Sequence, residues 1–371
     1  MASKVYHISP RSKTDNDLMV NLERLFETED FSKCLLAWNL VAIKLHFGER
    51  NGWGYIHPKF VRRIVNQSKR YGCKPFLTDT NSVYLGSRSE AVSHIQTALT
   101  NGFDYTVSNA PIIIADGLKG ASSFEVEIRL KHYQKVKIAL EISQADGMIC
   151  LSHFKGHELC GFGGAIKNVG MGLASRSGKL AIHSTVTPYI KKDCIGCGIC
   201  KKFCIGEAIY LAEGRAYIKS ENCIGCGQCI ISCPNGYIKI KWDESAQNAQ
   251  EKICEYAYGV LNALKIPSLF LNFLIHITPQ CDCFDHTDTP FCPDLGILAS
   301  TDVVAIDQAS VDLVNQNQGI PNTAIDGKYG SGVDKFRAVY PDIDWQVQLA
   351  YAEKIGLGSR EYELIEFPDQ T

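Results

Sequence analysis

No apolar stretch in this sequence is long enough to span a bilayer. The most apolar segment, VLNALKIPSLFLNFLIHI (260–277), is interrupted by Lys265, Pro267 and Asn272, whereas a spanning helix needs about twenty apolar residues in a row. A helix followed by a buried strand is the expectation there. The opening MASKVYHISPRSKTD lacks an apolar core and a small-residue cleavage site, so a cytoplasmic protein is expected and a secretory leader is not. A dominant charge is missing too. With 38 Lys+Arg against 40 Asp+Glu the formal net charge is -2, which gives no reason to expect nucleic acid or an anionic membrane as the main partner. Length and composition allow a real core, in one large domain or two to three smaller ones.

Cysteine is what the sequence has in excess, with sixteen in 371 residues. Half of them fall between residues 194 and 233 as two copies of one pattern, CIGCGICKKFC (194–204) and CIGCGQCIISCP (223–234). Each has the spacing C-x2-C-x2-C-x3-C of bacterial ferredoxins. Two residues between cysteines let a tight loop deliver three thiolates to one [4Fe–4S] cubane. Gly196, Gly198, Gly225 and Gly227 let the backbone curl around the sulfurs and aim N–H groups at them. In two-cluster ferredoxins the fourth cysteine of each run reaches the other cluster. The expected ligand sets are therefore Cys194, Cys197, Cys200 and Cys233 for one cubane, and Cys223, Cys226, Cys229 and Cys204 for the other. Paired C-x2-C also builds zinc ribbons; two tandem four-cysteine runs favour iron–sulfur. Pro234 follows Cys233 but Ile205 follows Cys204, a departure that removes no ligand.

The flanking sequence has a different rhythm. LLAWNLVAIKLHF (35–47), PFLTDT (75–80), PIIIAD (111–116), GMICLSHF (147–154) and KLAIHSTV (179–186) read as buried strands, and 58–72, 87–102 and 123–144 read as helices. After the cysteine runs come a helix over 243–265, a strand over 269–277, the segment DVVAIDQASVDLV (302–314) and a last helix over 342–355. This alternation predicts an α/β class with a sheet covered on both faces. The economical architecture is one discontinuous α/β sheet domain, 1–187 plus 243–371, with an α+β ferredoxin-like dicluster domain inserted at 188–242.

In open α/β sheets ligands bind beyond the carboxyl ends of the strands, and there the apolar runs turn polar. IKLHFGE puts Lys44 and His46 on one strand face with Glu49 just beyond. In SHFKGHELCGFGGAIKNVGMG, His153, Lys155 and His157 alternate and share a face if extended, and Lys167 and Asn168 follow a glycine-rich turn. GFGGAIKN is not the dinucleotide fingerprint, because Ile166 stands where the third glycine belongs. GLASRSGKL (172–180) misses the P-loop spacing and has Leu180 for Ser/Thr. An anion-binding turn remains open. One histidine alone is as readily structural; two with a lysine beside glycines point to a pocket.

These blocks, IKLHFGE, FLTDTNSVYLGSR, HFKGHELCGFGGAIKNVGMGLASRSGK and PDLGILASTDVVAIDQA, resemble the signatures of the iron–sulfur-centre proteins grouped as domain of unknown function 362. The resemblance runs along nearly the whole chain, the cysteine runs included. It implies a cytoplasmic iron–sulfur protein of anaerobe type, an α/β domain joined to a ferredoxin domain, and a reaction that is unassigned. Cys281–Asp282–Cys283 looks like a feature of that family, whereas Cys292 stands where an ordinary apolar residue is expected.

The segment QCDCFDHTDTPFC (280–292) follows a predicted strand and reads as a loop. Extended residues two apart share a face, so Cys281 and Cys283 can chelate one metal or two irons of a cluster. The other reading is a redox-active pair of free thiols in a tight turn. His286 nearby favours metal or redox chemistry over packing. Cys34, Cys73, Cys150 and Cys254 are expected as buried hydrophobes; Cys160 fits either role.

Two functions fit these features. In the first, an iron–sulfur oxidoreductase passes single electrons through two [4Fe–4S] clusters to a site in the α/β domain. There Cys281 and Cys283 hold a third metal, an Fe–S centre or a thiol centre, and His46, His153, Lys155, His157 or Lys167 bind a small anionic substrate or supply protons. In the second, a non-enzymatic electron-transfer or docking protein recognises a partner oxidoreductase. Either way the expected partner is a redox protein or other low-potential electron donor or acceptor.

Overall fold

Apolar residues repeating with period two build the centre of the molecule. The computed structural model describes residues 2–11, 17–185 and 187–368. Strands β1 (Ser3–Ile8), β2 (Leu40–Lys44), β3 (Lys74–Asp79), β4 (Ile112–Ile114), β5 (Gly147–His153), β6 (Ser268–Leu274), β7 (Gly296–Ser300) and β8 (Tyr362–Glu366) form one sheet in the order β8-β1-β7-β6-β5-β2-β3-β4. β7 runs antiparallel to both neighbours, and the other pairings are parallel.

Successive side chains of a strand point to opposite faces, and here each face has its own core. Met148 and Cys150 of β5 join Phe270 and Leu274 of β6 in one; Ile149 and Leu151 join Leu269, Leu271 and Phe273 in the other. Ile253 and Cys254 of the helix Ala246–Tyr258 cover the first face, and Val61, Ile64 and Val65 of the helix Pro58–Arg70 cover the second. Each such aliphatic contributes roughly 1.5–3 kcal/mol by leaving water, so both faces are pinned. This is the α/β class expected, a mostly parallel sheet covered on both sides. Among the described residues no helix is long and apolar enough to cross a membrane.

Three expected elements differ. The apolar run 35–47 begins inside a helix, Glu29–Ala37, and only Leu40–Lys44 is strand. The stretch 123–144 is an antiparallel hairpin, Ser123–Glu127 with Lys135–Ala139, followed by a 3-10 turn. Its inward residues Val126, Ile128, Val136 and Ile138 repeat with period two, and the helical reading took the apolar residues of the two strands together as one helical spacing. The run 179–186, whose last residue lies outside the described ones, is instead the helix Arg176–His183, opened by Ser175, whose hydroxyl accepts from the Gly178 N–H. A short apolar run alone does not separate a strand from a buried helix.

The cysteine-rich segment leaves the sheet after Arg176–His183 and returns before Ala246–Tyr258. Its ends meet in a short antiparallel pairing, Tyr189–Ile190 with Ile238–Lys239. Inside it Cys200, Cys229, Ile209, Ala216, Ile230 and Ile238 form a third core, to which the sheet part adds Val83 and Leu180.

Beyond β5 the chain folds into a small hairpin, Lys155–His157 with Gly161–Gly163. The Gly156 N–H donates to the Thr278 carbonyl at 2.8 Å. A Cβ on Gly156 would sit 2.1 Å from the Pro279 carbonyl oxygen, so only glycine lets the loop after β6 dock there. Gly156→Ala should destabilise the protein by about 1–3 kcal/mol, read as a lowered midpoint in anaerobic urea denaturation; an unchanged midpoint would show that the loop does not rest on this hairpin.

Candidate active-site cavity

Parallel neighbours bring the carboxyl ends of β2, β3, β5 and β6 to one edge, with Lys44 beside Thr78 and Cys150, and His153 beside Phe273. A cavity of about 980 Å³ opens at that edge. His46, His153, Lys155, His157 and Lys167, each singled out in the sequence, all line it together with Cys281 and Cys283. The route there differs from expectation. His153 ends β5, whereas Lys155 and His157 lie in the following hairpin, so one extended strand is not what aligns them.

The buried charges are held in pairs. Lys44 Nζ lies 3.0 Å from Asp79 Oδ1 and donates to Asn168 Oδ1 at 2.7 Å. Burial pushes Asp79 up, but Lys44, the largest opposing influence, holds the carboxyl well below its usual range. His153 Nδ1 is 2.8 Å from Asp282 Oδ1, and Lys155 Nζ is 3.2 Å from Oδ2. Against burial, His153 and Lys155 hold the Asp282 carboxyl well below its usual range. Arg88 Nε donates to Glu49 at 2.8 Å, and the Tyr84 hydroxyl sits 3.0 Å from the Cys283 carbonyl oxygen. Removing one member of such a pair strands the other charge, at a cost of about 3–5 kcal/mol.

The glycine turn before Lys167 is fixed from below. Asp307 accepts from the Ala165 and Ile166 N–H groups at 2.7 and 2.9 Å, and from Asn272 Nδ2 at 2.8 Å. Burial pushes Asp307 up to about 6 against these bonds. From this turn Lys167 Nζ reaches Cys281 Sγ at 3.3 Å.

Cys281 and Cys283 are not extended. The Phe284 N–H donates to the Cys281 carbonyl at 3.1 Å and closes a tight turn that brings the two thiols into hydrogen-bond contact. The Cys283 thiol donating to its sulfur, with Lys167 and His157 alongside, holds Cys281 well below the usual thiol range despite burial. The same hydrogen bond, then burial, drives Cys283 well above it. His157 Nδ1 faces the Leu159 and Cys160 N–H groups, both at 3.2 Å; burial and Lys167 push the ring down, but Glu158 and Cys160 outweigh them and raise it to about 9. His46 Nδ1 accepts from the Gly48 N–H at 3.0 Å. Burial, then Arg88, push His46 well down, so its ring is neutral.

His286 does not join the cavity: it is exposed and contacts Asp285 and Phe284. Cys292 is a core residue, its thiol pushed up to about 12 by burial. Cys73, Cys150, Cys160 and Cys254 are buried, whereas Cys34 is half-buried. The residues that sequence reading missed are the compensating ones, Asp79, Asp282, Arg88 and Tyr84. Only Asp79 carried a signal, as a carboxylate ending an apolar run.

The cysteine runs meet as four and four. Cys194, Cys197, Cys200 and Cys233 line one small cavity; Cys204, Cys223, Cys226 and Cys229 line another. Backbone N–H groups of Ala216, Ala208 and Tyr237 donate to the sulfurs of Cys194, Cys204 and Cys233 at 3.4, 3.2 and 3.2 Å. Gly198 and Gly227, with φ of 77° and 69°, turn each loop into the short helix that presents its third cysteine. Val83 and Tyr84 touch both this cysteine core and the large cavity.

A family model described as Domain of unknown function (DUF362) matches residues 41–312. This chain belongs to the DUF362 family. The matched span covers β2, β3, β5 and β6, the glycine turn, both cysteine runs and the Cys281–Cys283 turn. No curated protein matches this DUF362 chain. Among solved structures it is similar to the lactate racemase apoprotein from Thermoanaerobacterium thermosaccharolyticum, with 12% identity and a TM-score of 0.44 over 85% of this chain and 58% of that one. A structural-genomics protein from Thermotoga maritima has 12% identity and a TM-score of 0.38, over 70% of this chain and 51% of that one. The DUF362 chain thus spans little more than half the length of either.

Behind the cavity, His94 Nε2 lies 3.7 Å from Asp79 Oδ2. Burial pushes His94 down to about 3, with Asp79 opposing only in part. Unfolding restores its ordinary value of 6.5, so the unfolded chain takes up the extra proton. The stability His94 contributes is complete above pH 6.5 and is lost as pH falls towards 3. Between pH 7.5 and 5 the native protein should lose about 2 kcal/mol more than His94→Gln, measured by urea denaturation at each pH; equal losses would refute this.

Proposed function

We propose that this DUF362 protein is an iron–sulfur oxidoreductase acting on a small anionic substrate in the lysine-lined cavity. Residues 188–242 are read as an inserted ferredoxin-like unit, and 1–187 with 243–371 as its α/β host. The observation that carries the reading is the grouping of eight cysteines, four and four, around two small cavities whose shared core abuts the large one through Val83 and Tyr84. The donor set fits [4Fe–4S] clusters: four thiols each, with backbone N–H groups on three of the sulfurs. When bound, such clusters supply one-electron transfer at a potential set partly by those N–H···S bonds.

In the large cavity the chain's own groups divide the work. Lys167 and His157 hold negative charge on Cys281. His46, its Nδ1 occupied by Gly48, offers Nε2–H to a ligand. Cations line the walls, Lys44, Arg88, Lys155, Lys167 and Lys179, beside the carboxylates Glu49, Asp79, Glu158 and Asp285; the lysines are read as the attraction for anionic groups. Cys281 and Cys283 are read as the thiol centre on which reduction takes place.

Anaerobic purification should give a brown protein with about eight irons and eight sulfides per chain. Cys194→Ser and Cys223→Ser should each lower that count. Cys281→Ser/Cys283→Ser should leave it unchanged and abolish substrate reduction. A colourless or zinc-loaded protein would overturn the reading. A count clearly above eight that falls in the double variant would replace the thiol centre by a third metal centre.

A further inference from the structure

We infer that Cys281 and Cys283 form a redox-active dithiol that reduces a small anionic disulfide bound in the cavity. The inference rests on the proposed function only for the source of electrons. Its geometry is local. A tight turn closed by the Phe284 N–H bonding the Cys281 carbonyl bends the backbone between the two cysteines, which stand at its first and third positions. Both thiols line the cavity and hydrogen-bond each other. Lys167 Nζ stands 3.3 Å from Cys281 Sγ. Its chain lies across Gly163, where a Cβ would come within 3.2 Å of Lys167 Cδ, so the hairpin is shaped to admit it. An attacking thiolate beside a fixed cation, with a second thiol poised to resolve, is the arrangement thiol–disulfide exchange requires.

The steps balance. The Cys281 thiolate attacks one sulfur of the bound disulfide; a Cys281–substrate S–S bond forms and the substrate's own breaks. The first thiolate leaves and takes a proton from Lys167. Cys283 then loses its proton and attacks the Cys281 sulfur, the intramolecular disulfide forms, and the second substrate thiolate departs with that proton. One disulfide has become two thiols; the dithiol has lost two electrons and one proton, and Lys167 has lost the other proton. A low-potential one-electron donor protein restores them in two single-electron deliveries, with protons from solvent entering the cavity. The surrounding cations select disulfides that carry carboxylates or other anionic groups near the sulfurs.

The test uses the full-length, anaerobically purified protein with oxidised glutathione as probe and peptide mass spectrometry as readout. In Cys283→Ser, Cys281 should be trapped as a stable mixed disulfide with glutathione. The native protein should instead show the Cys281–Cys283 disulfide and release two thiols per disulfide consumed. Lys167→Met in the Cys283→Ser background should slow trapping on the order of tenfold, the effect of about one pKa unit on the thiolate fraction. Cys281→Ser, folded by circular dichroism, should form no adduct at residue 283 at a comparable rate. An unmodified Cys281 in a folded Cys283→Ser protein that retains its iron would overturn the dithiol and leave the electron-transfer reading standing. Trapping at Cys281 in a protein that never binds iron would do the reverse.

Discussion

Buried charge needs a counter-charge within a few ångströms, and the cavity end of this molecule is organised by that requirement. The Lys44–Asp79 pair, 3.0 Å apart and almost inaccessible at 1% and 3%, joins the ends of β2 and β3. Asn168 accepts from Lys44 and donates to the Leu151 carbonyl, which ties the pair to β5 and to the glycine turn. His153, Lys155 and Asp282 repeat the arrangement on the neighbouring strand ends and seize the loop after β6. Desolvating these ions is expensive, and none of the pairs is a cheap source of stability. Their use is positional: Lys44, Arg88, His153 and Lys155 are each locked by a carboxylate, whereas Lys167 turns to a sulfur.

This explains how much could be read beforehand. The runs ending in Lys44, Asp79 and His153 announced the strands, because parallel strands buried on both faces are almost continuously apolar. The helix Pro58–Arg70 announced itself by its opening proline and its stripe of apolar residues. The edge strands β1 and β8 did not, since SKVYHI and YELIE are short and half polar. The hairpin that begins with Ser123–Glu127 was read as a helix because its period-two pattern is split between two short strands, and Arg176–His183 as a strand because its apolar run is short. Asp282 was hidden between two cysteines that drew the attention, and nothing local tells a structural carboxylate from a solvated one. Only the tertiary meeting of His153, Lys155 and the loop gives it a role. The tight turn at Cys281 was equally illegible, because pairing two residues apart looks the same in sequence whether the backbone is extended or bent.

The cysteine-rich segment and the cavity are joined by side chains of the loop after β3. Val83 packs in the cysteine core while lining the cavity, and the Tyr84 hydroxyl rests beside the Cys283 carbonyl. Arg176 reinforces the seam: its Nε donates to the Ser82 carbonyl, and its Cγ and Cδ lie 3.2 Å from where a Cβ on Gly227 would be. Packed side chains therefore run from one set of sulfurs towards the other.

The paired ends of the cysteine segment, Tyr189–Ile190 against Ile238–Lys239, have a consequence for the architecture. Entry and exit share one gate, so the host sheet meets the whole segment as a closed loop. Lengthening a closed loop adds only a slowly rising entropic penalty. Changes of length between those two ends leave the rungs of the large sheet in place.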